Sequence, residues 1–65
     1  MKYEIGQRIW TDRFMNVRIA AIFADRAEAE ACGYTEPTHS AYEDVVVLGK
    51  SIDMYHMIFA IAPKQ

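Results

Sequence analysis

The chain is short of almost every residue that announces a chemistry. It has 65 residues and a single cysteine, Cys32, so no disulfide can form within it. That composition suits a reducing cytosol. Its two histidines, His39 and His56, are the only imidazole ligands. With Cys32 they give the spacing Cys-x6-His-x16-His, whereas zinc sites usually place two ligands within two to five residues of each other. No metal or other cofactor is therefore expected. No serine or cysteine is set by sequence against a base and an orienting acid, which argues against nucleophilic catalysis. His56 and Tyr55 are adjacent, and adjacent strand residues point to opposite faces, so they do not share a site. Excess positive charge is missing too. The formal net charge is −2, so nothing draws the whole chain toward nucleic acid or anionic lipid. The longest apolar run, "MIFAIA", falls far short of the ~20 residues that span a bilayer. The opening "MKYEIGQRIW" holds no apolar stretch of the signal-peptide kind. The expectation is a cytoplasmic protein that is neither an enzyme nor a membrane protein.

What is present is hydrophobic: 52% of the residues, with 25% charged, which is the balance of a folded domain rather than a disordered one. Residues 1–65 make one domain. Residues 3–10, "YEIGQRIW", alternate as a half-buried strand does. "TDRFMN" supplies a turn, and 17–24, "VRIAAIFA", reads as a strand apolar on both faces. "DRAEAEACG" is a short helix. Asp25 stands at its cap, Glu28 three residues on completes a capping box, and Gly33 sits at the left-handed C-terminal position with Tyr34 folding back. Ala29 and Cys32 are expected on its buried side. Pro37 marks 34–44, "YTEPTHSAYED", as a long loop, either a solvated acidic connection or a docking segment. Strands come next at 45–52 and 55–62, with a turn near Asp53.

The order strand–strand–helix–strand–strand predicts an α+β fold of two layers, ββαββ. Its four-stranded, mainly antiparallel sheet has order 1-2-4-3, with one short helix on one face. The second and last strands should run antiparallel at the centre. Beneath the helix the pattern places Ile5, Ile9, Ile19, Phe23, Met57, Phe59 and Ile61. The opposite face then carries Arg8, Trp10, Arg18, Ala20, Ile22, His56, Ile58 and Ala60, a patch of small apolar residues with a polar rim. A face of that kind invites a partner.

Two segments, "FADRAEAEACGYTEPTH" and "LGKSIDMYHMIFA", resemble small uncharacterised proteins of Gram-positive anaerobes and their mobile elements. The resemblance implies a bacterial cytoplasmic origin and no particular activity.

The expected function is thus a small interaction or regulatory domain. It would form a homodimer, or bind another protein, through those eight residues, since arginine and tryptophan are enriched at such interfaces. The competing expectation is a single-stranded nucleic-acid module on the same face, where Arg8 and Arg18 would meet the backbone and Trp10 a base. Charge is uneven in a way that suits it. Residues 1–26 hold five basic and three acidic groups, and residues 27–53 hold one and six.

Overall fold

Gly6 ends the first predicted strand before it properly begins. The computed structural model describes residues 2–39, 42 and 44–64. Glu4 to Gln7 form a tight turn. The Gln7 amide donates to the Glu4 carbonyl at 3.1 Å, and Gly6 takes φ +92°. A positive φ at the third position defines a type II turn and calls for glycine. Ile5, beside it, is 68% exposed rather than under the helix. Strand β1 is therefore only Arg8–Thr11, and it pairs antiparallel with β2, Met15–Ile22. The turn between them is tied by the buried Thr11 hydroxyl, which accepts from the Phe14 amide at 3.0 Å and donates to the Met15 carbonyl at 3.3 Å.

Helix α1, Arg26–Ala31, forms as its sequence requires. Asp25 accepts from the Glu28 amide at 2.8 Å, and the Glu28 carboxylate accepts from the Ala24 amide at 3.2 Å. At the other end Gly33, at φ +96°, donates to the Glu30 carbonyl, and Tyr34 donates to that of Ala29. This is the Schellman closure, and it leaves Tyr34 buried. Ala29 is buried, but Cys32, on the C-terminal cap, is exposed, contrary to expectation. Cys32 is the C-cap and not part of the helix, and its backbone, at φ −92° and ψ 5°, departs from the helical spacing that would carry it to the face of Ala29.

The predicted loop contains a strand. β3, Glu36–His39, pairs with β4, Val45–Ser51, and β4 pairs with β5, Met57–Pro63. Pro37 lies at the sheet edge, the place where a residue without an amide hydrogen is tolerated. Residues 40, 41 and 43 of that segment lie outside the described residues. The sheet thus has five strands in the order β1-β2-β5-β4-β3. The expected neighbours are kept, with one strand added at the edge. That added strand also reverses β5. Each antiparallel step turns the chain around, so an extra strand before β4 makes β5 parallel to β2, not antiparallel.

The faces are also reassigned. The β2–β5 register shifts between Ile19 and Ala21, so Ala20 is an extra residue. Such a bulge breaks the period-two alternation. Ile19 and Ile22 pack into one core, while Ala21 and Phe23 pack into the other. Helix α1 covers the face with Val46, Leu48, Ala60 and Ala62, whose alanines let it sit close. Ile9, Ile19, Phe59 and Ile61, expected beneath the helix, lie on the opposite side with Tyr3, Val17, Val45 and Val47. The sheet itself covers that second core by curling. The β1–β2 turn reaches across it, so that the Phe14 ring meets Phe59 at 5.4 Å between centroids and Arg13 pairs with Glu36 of β3 at 3.1 Å. The Tyr3 hydroxyl donates to Asp44 at 3.4 Å. Contacts from one outer edge to the other close the face that a flat four-stranded sheet would have left open. None of the described helices is long and apolar enough to cross a membrane.

Candidate docking surface

The parallel pairing of β2 with β5 brings two loops to one end of the sheet. β2 and β5 start there, and β1 and β4 finish there. The β1–β2 turn, residues 12–14, and the β4–β5 loop, residues 52–56, are therefore neighbours by topology. Seven large apolar side chains are exposed among the described residues. Six of them belong to these two loops and the strand ends beside them: Trp10, Phe14, Met15, Ile52, Met54 and Tyr55. Only Ile5 sits elsewhere. Met54 and Tyr55 are each 85% exposed and Trp10 58%.

The β4–β5 loop is built to hold its apolar residues outward. The Asp53 carboxylate accepts from the Tyr55 amide at 2.9 Å, and the His56 ring nitrogen Nδ1 lies 2.8 and 2.9 Å from its two oxygens. The Ser51 hydroxyl donates to the Asp53 carbonyl, and the Ile52 amide to that of His56. These bonds tie together the backbone of a five-residue connection on which Met54 and Tyr55 stand exposed. The Tyr55 amide, and after it the His56 side chain, hold the Asp53 carboxyl below its usual range.

A groove of about 350 Å³ runs beside this end. It exists because β2 changes partners along its length. Residues 15–18 pair with β1, and pairing with β5 begins only at Ile19 opposite Phe59. Val17 and Arg18 therefore diverge from Met57 and Ile58, and those four line the gap with Arg8, Asn16, Ala20 and Phe59. Arg8 and Arg18 are direct cross-strand partners. Like charges placed opposite each other destabilise a sheet. Lys50 is the partner of Ile58 on the next strand, with its ammonium 5.6 Å from the centre of the Tyr34 ring.

The eight residues expected to share one open face do not all do so. Arg8, Arg18, Ala20 and Ile58 line the groove together. Trp10 is exposed on the same face of β1, opposite Asn16. His56 lies in the loop, turned to Asp53. Ala60 is fully buried under the helix, and Ile22 packs half-buried against the other core, so neither is a surface residue. Ile52, Met54 and Tyr55 were not among the expected residues. Their signal was in the sequence: "SIDMYH" puts three large apolar residues into a turn anchored by Asp53, and so tight a connection cannot bury them.

Among the described residues no group of three His, Cys, Asp or Glu side chains could hold a metal ion. No family model matches the chain, and neither a curated protein nor a solved structure matches it.

Proposed function

We propose that this chain is a non-enzymatic interaction domain of the cytoplasm that self-associates through the end of its sheet that carries the β1–β2 and β4–β5 loops. The observation that carries the reading is that six of the seven exposed large apolar side chains among the described residues fall in or beside the two loops at that end. Apolar surface so concentrated is the mark of an interface, and tryptophan, tyrosine and methionine are residues that interfaces favour. A chain of 65 residues also gains from a second copy, because so short a domain buries only about 60% of its unfolded surface. The exposed, unpaired Cys32 suits a reducing compartment.

In a two-fold dimer the same patch serves both subunits, so each substitution acts twice. Tyr55→Glu places a carboxylate where the partner's apolar surface would lie. Tyr55 is exposed within the single chain, so the change spares the fold. Light scattering after size exclusion, over a range of concentrations, should show a dimeric parent and a monomeric Tyr55→Glu variant with the same circular dichroism. A parent that stays monomeric at the highest concentration overturns the reading.

A further inference from the structure

We infer that the groove between β2 and β5 binds single-stranded nucleic acid, a property that goes beyond self-association and competes with it for Trp10. The chain places Arg8 and Arg18 side by side, and neither has an ion-pair partner among the described residues. A sheet gains nothing from that juxtaposition by itself. A bridging anion turns the repulsion into attraction, since each guanidinium presents a fork of donors suited to phosphate. The cations also form a row. Arg8, Arg18, Ile58 and Lys50 stand on four neighbouring strands, β1, β2, β5 and β4. The β2–β5 gap lies in the middle of the row, so the row extends over more than the ~14 Å of three paired-strand spacings. No carboxylate stands in it, although the whole chain is acidic, with Glu28 and Glu30 on the helix. Charge spread along a line fits a ligand with repeated charges better than a single carboxylate.

The aromatic partner is on the same face. Trp10 stands two residues beyond Arg8 on β1, with its ring largely exposed. Cations that follow a backbone beside an aromatic ring that takes a base are the two parts of sequence-tolerant single-strand binding. The apolar floor at Ile58 offers a second base a surface to lie on.

Trp10 is the only tryptophan, so its fluorescence reports on the site directly. The probe is a fluorescein-labelled oligothymidylate of about 15 nucleotides, read by anisotropy together with Trp10 quenching between about 50 and 200 mM salt. Binding should quench Trp10 and weaken with salt. The double variant Arg8→Gln/Arg18→Gln should weaken binding and flatten the salt slope by about 0.7, for the one phosphate that the pair bridges. Trp10→Ala should weaken binding by about 5- to 150-fold. Arg26→Gln, whose arginine pairs with Glu30 on the helix, should leave it unchanged. Circular dichroism checks that each variant is folded. Absence of binding at low salt, or binding indifferent to both arginine and tryptophan changes, overturns the inference. So does poly-L-glutamate that quenches Trp10 as well as or better than the oligonucleotide, which would make an acidic protein segment or any polyanion the occupant. Because Tyr55→Glu leaves the groove's arginines in place, a monomeric parent that still binds the oligonucleotide separates this result from the self-association test.

Discussion

Phe59→Ala removes the ring on which the β1–β2 turn rests, and the size of its effect depends on how the second core is covered. A fully buried phenylalanine costs about 3–5 kcal/mol when cut to alanine. Phe59 is only half-buried, so about 2–3 kcal/mol is expected. A domain of this length has a total stability of about 3–10 kcal/mol, so the variant should remain measurable. Part of the loss belongs to the tilted pair with Phe14, at 5.4 Å and 52°. Aromatic pairs contribute about 0.5–1.5 kcal/mol beyond their burial. The assay is a double-mutant cycle, Phe14→Ala with Phe59→Ala, by urea unfolding monitored through circular dichroism. The coupling should fall in that range. Ile5→Ala, exposed at the other end of the sheet, should add to Phe59→Ala within about 0.3–0.5 kcal/mol. If the Phe14 cycle is as additive as the Ile5 one, the turn does not lie over Phe59 and the curled sheet is wrong.

Gly6→Ala meets no atom within 4 Å, so its cost comes from φ +92° alone. About 1–2 kcal/mol should be lost in urea unfolding, and a synthetic chain with D-alanine at that position should lose nothing. Cys32 should react with a thiol reagent as fast in the native protein as in denaturant, since it is exposed. Arg18→Glu converts the like-charged pair with Arg8 into an opposite one and should stabilise the chain by about 0.2–1 kcal/mol, less at high salt. For Asp53, a carboxyl titration monitored by NMR should give a value below that of an aspartate in the unfolded chain, because the Tyr55 amide and the His56 side chain bond to its carboxylate. Because the folded value is the lower one, its contribution to stability is complete above the unfolded pKa and is lost only as pH falls through the folded one. Between about pH 7 and 5 this group should change nothing.

Much of the local structure is legible in the sequence, because it is decided by neighbours in the chain. Asp25, Glu28 and Gly33 specify both ends of the helix, and the apolar runs at 45–52 and 55–62 specify β4 and β5. What the sequence hides is set by residues far apart. The Ala20 bulge leaves no mark in an apolar run, since "IAAI" reads the same with or without an extra residue, yet it decides which face Ile22 and Phe23 join. Glu36–His39 has the proline and polar residues of a loop, and becomes a strand only because β4 offers it an edge. That one unexpected strand reverses the direction of β5. The site divides in the same way. Arg8, Arg18, Ala20 and Ile58 could be placed together from alternation, whereas Tyr55 and Met54 join them only through the parallel pairing of β2 and β5.

If the two loops at one end of the sheet form the docking surface, the amides there should sense dilution. A dilution series of amide NMR spectra tests this most directly. On concentration, signals from residues 10–16 and 52–58 should move, the Trp10 indole among them, while those of helix residues 26–31 stay fixed. A spectrum independent of concentration, or one whose changes centre on the helix, would contradict the account.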